Sequence, residues 1–401
     1  MLTEVVESEL TIDKLVFGGD GLGRIDGIPV FVPRAAPGDR LYVKVVDRQT
    51  KYARGEILEV LEPGPGRREP PCPVFARCGG CDLQHLTDEA QLRAKVEAVA
   101  ETLRRIGRID TRDLEGAVEV VPGAPFGYRL RTQIHVATTE RGREVGYFAR
   151  GSHDLVAIEQ CPILVPELDA LLPQLPRLVR DSHHARVDLA AGDDGAITAS
   201  PPLDGLPQGE ISLGVDTPVG HFTYRFDARS FFQGHRGQLP ELVRRVLGDF
   251  ADAEGTAVDL YAGVGLFSLP LARRYGRVVA VETDRIATRY ARKNLEAHDL
   301  DGVEVANVSV ERWLEENLEP ATARVVVDPP RGGLSAKVRH LLVTRRPERI
   351  TYVSCEASTL ARDLKQLGRR YTIEHIALLD LFPQTGHLES VVQLRANEEA
   401  P

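Results

Sequence analysis

The chain has 401 residues, 42% of them hydrophobic, and a formal net charge of −9 at pH 7, with an isoelectric point near 5.7. That length suits two or three domains with sizeable cores; no apolar run approaches the roughly 18 residues of a membrane span, and the start MLTEVVESEL lacks the basic and apolar regions of a secretion signal, so a cytoplasmic chain with no membrane partner is expected. The acidic balance counts against a broadly basic nucleic-acid face, while Arg67-Arg68, Arg104-Arg105 with Arg108, Arg129 with Arg131, and Arg141 with Arg143 leave a local RNA-contacting patch open beside a solvated surface.

Residues 9–61 alternate short β-type runs (LTIDKLVF, PVFV, LYVKVV, GEILEVLE) with the turns GGDGLG, IDG and APGD, the rhythm of a small barrel. Glu62–Pro71 has the Pro/Gly density of a linker and sets a boundary near residue 65. It leads into Cys72, Cys78 and Cys81, spaced C-x5-C-G-G-C, with Cys161 further on. Residues 87–107 have helical periodicity, with Leu92, Val96, Val99, Leu103 and Ile106 on one face, a polar cap at Thr87 or Asp88, and Gly107 as the stop. RLRTQIHVA and EVGYFAR form a hairpin within residues 129–150, and the short strand LVAI leads to Cys161. Residues 165–225 carry no firm assignment. From residue 256 strands alternate with helices: TAVDLY, RVVAVE, VEVAN, ARVVVD, RITYVSC, YTIEHIALLDLF and SVVQL. That alternation predicts a doubly wound parallel sheet.

Ligands of such sheets bind outside the carboxyl ends of the strands. The first strand ends in Asp259-Leu-Tyr261-Ala-Gly263-Val-Gly265, and the second in Glu282, about 20 residues on, as expected of a carboxylate that accepts from two ribose hydroxyls. No third glycine completes a dinucleotide fingerprint, so no pyrophosphate cradle is evident, and the loop suits S-adenosylmethionine. Asn307 and Asp328 follow the third and fourth strands; a turn residue and a helix cap are their plainer readings. Cys355 ends the fifth strand at a helix start, a position that favours thiolate, against a buried structural thiol. Glu389 is the candidate base, with His387 as competitor.

Taken together, Phe231-Phe-Gln233, DLYAGVG, DPPRGGL, YVSCEASTLARDL and FPQTGHLESVVQL resemble, in that order, the RumA/TrmA-type RNA 5-methyluridine methyltransferases. GGDGLGRIDGIPVFVPRAAPGD resembles that family's TRAM module, an OB-like RNA-binding barrel, and the cysteine loop with Asp82-Leu-Gln-His85 its iron-sulfur segment. The resemblance implies a multidomain α/β chain: an OB-like barrel over 1–64, a central α+β domain with a four-cysteine iron-sulfur site over 65–215, and a Rossmann-like class I methyltransferase domain over 216–401. It implies Cys355 as nucleophile and Glu389 as proton acceptor. Gln233, Tyr261, Glu282 and Asp328 become S-adenosylmethionine contacts, joined by Gly263 and Asn307 from the loop reading, and Phe231 or Gln233 faces the target base. The substrate expected is a uridine in structured RNA, ribosomal ahead of transfer RNA, and the protein a monomer. Glu356-Ala357 departs from the Asn-Pro or Asp-Pro that many relatives carry after the cysteine, which leaves the helix start less rigid.

The reaction has a chemical logic. Carbon 5 of uracil is a poor nucleophile until a thiolate adds to carbon 6, and a base must afterwards remove the carbon 5 proton. Four thiolates from Cys72, Cys78, Cys81 and Cys161 suit a [4Fe-4S] cluster; zinc prefers two close pairs, and only one is present. The spacing also differs from the C-x3-C-x2-C of radical enzymes. An RNA-binding iron-sulfur protein with a vestigial methyltransferase domain and an RNA 5-methylcytosine methyltransferase are the alternatives.

Overall fold

The computed structural model describes residues 6–114, 117–140, 142–179, 185–248, 253–320 and 322–398, so Arg141 lies outside the described residues. Strands β1 (Val6–Leu15), β2 (Gly21–Ile25), β3 (Ile28–Val32), β4 (Arg40–Arg48) and β5 (Ala53–Glu62) close into a barrel in the order β1-β2-β3-β5-β4. Their alternating pattern sends Leu10, Ile12, Val30, Val32, Leu41 and Val43 inward as one buried cluster, and closure leaves no free edge.

The Pro/Gly-rich stretch after β5 is a fixed strap, not a loose linker. Buried Asp39 accepts from the Ala36 and Gly64 N–H groups at 2.6 and 2.8 Å and pairs with Arg67. Arg68 reaches the Gln84 carbonyl at 3.1 Å and Asp88 at 2.9 Å. Arg131 likewise donates to the carbonyls of Ala228 and Ser230. These three arginines, left open in the sequence between an RNA-contacting patch and a solvated surface, are each engaged by partners within the fold.

Helix α1 (Asp88–Thr102) starts at Thr87, whose side chain accepts from the Ala90 N–H, and one wider turn carries it to Gly107. The expected apolar face is only partly its buried face. Leu92 and Val96 are half-buried and Ile106 is 42% exposed, while Gln91, Ala94, Lys95 and Ala98 are buried. The neighbour explains this, because Gln91 and Lys95 meet a polar loop, Lys95 pairing with Asp380 at 2.6 Å. Strand β6 (Val118–Val121) then leaves for the C-terminal sheet. Strands β7 (Arg131–Thr139), β8 (Gly142–Phe148), β9 (Leu155–Ala157), β10 (Arg186–Ala191) and β11 (Ile197–Ser200) make the central sheet in the order β11-β10-β7-β8-β9, with short helices α2 (Pro166–Leu171) and α3 (Leu175–Leu178) between β9 and β10.

The hairpin β12 (Ile211–Thr217) and β13 (Gly220–Phe226) runs through the boundary expected between residues 215 and 216. It packs toward the C-terminal body, where Asn294 accepts from the Arg225 N–H at 2.8 Å and donates to its carbonyl at 3.1 Å. The chain continues as α4 (Leu239–Leu247), β14 (Ala253–Leu260), α5 (Ser268–Ala272), β15 (Tyr275–Glu282), α6 (Arg285–Glu296), β16 (Val303–Asn307), α7 (Val310–Asn317), β17 (Arg324–Val327), α8 (Ala336–Arg345), β18 (Arg349–Ser354), α9 (Ala357–Leu367), β19 (Tyr371–Leu379) and β20 (Glu389–Ala396).

Eight strands form the main sheet in the order β16-β15-β14-β17-β18-β20-β19-β6. β14–β18 are parallel, and their strands read as apolar runs because helices cover both faces. The expected parallel sheet is corrected at one end: β20 is antiparallel to β18 and β19, and β6 joins parallel to β19. A short connection allows β20 to return only antiparallel. Its first residue therefore lies on the same rim as the carboxyl ends of the parallel strands.

Candidate active site

At the β14 end the chain turns sharply, with positive φ at Tyr261 (63°), Gly263 (56°) and Gly265 (93°). The two glycines accept this freely, whereas Tyr261 holds it under strain of the kind that collects at ligand sites. The Gly263 N–H thereby reaches Oε2 of Glu282 at 3.0 Å. The other oxygen of Glu282 accepts from the Thr283 and Asp284 N–H groups at 2.6 and 2.8 Å, so its carboxylate is fixed at the β15 end. Asn307, at the end of β16, donates to the carbonyls of Glu282 and Thr283 at 3.0 and 2.9 Å and braces that corner. Beneath the loop, buried Asp259 accepts from the Ser268 hydroxyl at 2.5 Å, and burial pushes its carboxyl up to about 7. Asp259 stood in the loop motif, but nothing in its spacing marked it as buried.

The other half of the rim carries the reactive groups. Asp328 follows β17 and accepts from the Gln233 amide at 3.1 Å; burial pushes its carboxyl up to about 7, with the Gln233 bond opposing. It caps no helix, since Ser335 caps α8. The register of β18 with β20 pairs Arg349 with Arg395 and Ser354 with Ser390. One residue beyond that pair on each strand stand Cys355 and Glu389, and the Glu389 carboxyl acts electrostatically on the Cys355 thiol. Burial and then Glu389 push the Cys355 thiol up to about 12, while Arg331 opposes. Burial thus opposes the thiolate preference expected of a helix start, and α9 begins two residues after Cys355.

Glu389 is buried, one of its oxygens has no hydrogen-bond partner among the described residues, and burial together with Asp328 pushes its carboxyl well up. His387 stands edge-on to Phe17 and Phe382, with centroids at 5.8 and 6.3 Å, and burial pushes its imidazole down. Phe231 is 67% exposed. A thiol facing a proton-avid carboxyl beside an open rim is equipped for nucleophilic addition followed by proton transfer. Arg331, quoted only as part of a motif, emerges as the cation beside the thiol; its charge next to a candidate nucleophile was the signal that could have found it.

Cys72, Cys78, Cys81 and Cys161 are all free and buried, and they line one cavity of about 140 Å³ with Phe75, Tyr147 and Arg129. Burial pushes Cys81 up to about 12 and Cys161 up to about 11, and each thiol lies within electrostatic reach of another. The Gly80 N–H points at the Cys78 sulfur at 3.4 Å. Among the described residues no three His, Cys, Asp or Glu side chains gather closely enough for one metal ion.

A TRAM-type barrel ahead of a class I methyltransferase sheet defines an RNA-modifying methyltransferase. The family model for tRNA (Uracil-5-)-methyltransferase matches residues 212–397, and the TRAM domain model residues 3–58. An RNA methyltransferase of Aquifex aeolicus is 30% identical, covering 97% of this chain and 99% of its own. The 23S rRNA (uracil(1939)-C(5))-methyltransferase RlmD of Enterobacter sp. is 31% identical over 93% of each chain. The tRNA (uracil-54, C5)-methyltransferase of Pyrococcus abyssi, solved in complex with S-adenosyl-L-homocysteine, has a TM-score of 0.72 at 26% identity and covers 96% of this chain and 100% of that one. The chain belongs to the RNA (uracil-C5)-methyltransferase family and is an S-adenosylmethionine-dependent enzyme acting on RNA. No helix among the described residues is long and apolar enough to cross a membrane.

Proposed function

We propose that this enzyme methylates carbon 5 of a uridine in 23S ribosomal RNA through a covalent adduct between Cys355 and carbon 6 of the base. The observation that supports this reading is the register of β18 against β20, whose last pair, Ser354 with Ser390, precedes Cys355 on one strand and follows Glu389 on the other, with Glu389 acting electrostatically on the Cys355 thiol. The Cys355 thiolate adds to carbon 6, and the enolate so formed places electron density on carbon 5. S-adenosylmethionine, when bound, would supply the methyl group, the carbon 5–methyl bond forming as the methyl–sulfur bond breaks and S-adenosylhomocysteine leaves. Glu389 then takes the carbon 5 proton, the carbon 5–carbon 6 double bond reforms, and the carbon 6–sulfur bond breaks to return Cys355. A buried carboxyl with raised proton affinity suits that last step.

Glu282, whose carboxylate is fixed by three N–H groups, would accept from the ribose hydroxyls, with Tyr261, Gly263 and Asn307 shaping that end. Gln233 and Asp328, hydrogen-bonded to each other at 3.1 Å, would contact the bound cofactor. Exposed Phe231 offers a face for a base splayed out of its stack. The ribosomal substrate rests on the RlmD relative's coverage of both chains; the transfer RNA enzyme of similar fold keeps the second substrate in the test.

Cys72, Cys78, Cys81 and Cys161 hold a [4Fe-4S] cluster in this reading. Four buried thiols around one cavity fit a multi-atom cluster, whose positive iron would favour their thiolate forms. Its part is structural, pinning the cysteine loop to the strand end at Cys161. Iron and acid-labile sulfide in protein purified without air, both lost in Cys161→Ser, check the assignment; an iron-free wild-type protein refutes it.

The function itself is tested by tritium release from RNA carrying [5-3H]uridine, with ribosomal and transfer RNA assayed separately. Release from ribosomal RNA that needs S-adenosylmethionine and falls at least ~10³-fold in Cys355→Ala is expected. Release from transfer RNA alone moves the substrate, and methylated cytosine without release overturns the uridine chemistry.

A further inference from the structure

The loop of residues 380–388 delivers Glu389 to the rim, and groups far away in sequence shape it. Gln384 is fully buried with φ of 67°, a conformation that persists in a non-glycine residue only when its surroundings over-determine it. Its N–H donates to Gln91 Oε1 at 3.0 Å, and its Oε1 accepts from Gln91 Nε2 at 2.9 Å. Its carbonyl accepts from the N–H groups of Asp82 and Leu83 at 2.9 and 3.0 Å. Two residues on, the Gly386 N–H donates to Oδ2 of Asp82 at 3.2 Å. The barrel closes the other side, where a Cβ at Gly386 would lie 2.3 Å from the Gly18 carbonyl carbon. The second oxygen of Asp82 pairs with Arg150, which also pairs with Asp20 of the β1–β2 turn at 2.6 Å. The Asp82 carboxylate thus joins the cysteine loop, the barrel turn and the loop that ends in Glu389.

We infer that Asp82 is a positioning residue for the reaction: by holding Gly386 it fixes Glu389 opposite Cys355, and so governs proton removal from carbon 5 while leaving substrate binding and methyl transfer untouched. The inference rests on the Cys355 and Glu389 roles proposed above. Backbone N–H groups already hold the Gln384 carbonyl, and the carboxylate supplies what they do not, an acceptor for Gly386 kept in orientation by Arg150. Without it the carbon 5 proton stays on the methylated base. Its electron pair then does not reform the carbon 5–carbon 6 bond, and the carbon 6–sulfur bond to Cys355 stays closed.

The test uses full-length protein and two RNAs, one with ordinary uridine and one with 5-fluorouridine. Fluorine cannot leave as a proton, so wild-type enzyme forms a methylated adduct stable to denaturation on the fluorinated RNA and none on the ordinary one. Asp82→Ala should form the fluorinated adduct within about twofold of the wild-type rate, while its turnover of ordinary RNA falls about 10- to 100-fold. The methylated adduct should then accumulate on ordinary RNA, as in Glu389→Gln. Asp82→Asn keeps an acceptor for Gly386 and should recover most of the turnover. If the alanine variant does not fold, Arg150→Leu is read the same way, with a smaller stall expected. Turnover without a stalled adduct, or parallel loss of both reactions, overturns the inference. Absence of the fluorinated adduct in wild-type protein overturns instead the Cys355 reading beneath it.

Discussion

The two halves of the rim are held by different means. At β14–β16, Glu282 is gripped by N–H groups no more than 19 residues away in sequence. At β18–β20, the loop ahead of Glu389 is gripped by Gln91 and Asp82, 293 and 304 residues from their partners. The Glu282 carboxylate is thus held once one βαβ unit folds. The reaction half is complete only when the barrel, the cysteine loop and α1 are docked. Damage remote from the rim should therefore spare cofactor binding and strike chemistry.

Glu282→Gln is the largest way to break that contrast. The change removes a charge that accepts three backbone N–H groups, and a hydrogen bond to a charged group contributes about 1.5–3 kcal/mol. The KM for S-adenosylmethionine should rise roughly 10- to 100-fold, with the KM for RNA unmoved and fluorinated adduct formation restored at saturating cofactor. Steady-state kinetics with both substrates varied decide it. A fall in kcat that excess cofactor does not rescue would show that the two halves are not separable.

The same contrast governs what could be read in the chain. VEVAN predicts β16 at Val303–Asn307, where it lies, and RITYVSC predicts β18 to within a residue. Strands buried on both faces are continuous apolar runs, and apolar runs are legible. Motif spacing put Glu282 and Asp328 on one rim because in a parallel sheet every strand end faces the same way. The facing of Cys355 and Glu389 was not legible, since it depends on β20 running antiparallel, and no periodicity separates a parallel from an antiparallel strand. Polar clamps were equally hidden. Gln91 and Lys95 lie off the apolar face that periodicity picks out, and Arg67 and Arg68 carry no sign in the sequence of their partners; Gln384, Asp380, Asp39 and Asp88 become visible only in the fold.

Arg331 gives the smallest and sharpest test, because it perturbs the reaction half through charge alone. It pulls the Cys355 thiol down against burial and Glu389, which push it up to about 12. Attack requires the thiol proton to leave, so kcat/KM for RNA should rise with pH between about 6 and 9 as more thiolate forms. Removing the cation in Arg331→Ala stabilises thiolate less and raises the thiol pKa, and the rising limb moves to higher pH. A shift of one unit corresponds to about 1.4 kcal/mol, so activity across that range should drop by up to about tenfold, and the variant should reach a given wild-type value up to about one pH unit later. If the whole profile falls without moving along the pH axis, Arg331 acts by holding RNA phosphate, and the thiol draws its activation from the bound substrate instead.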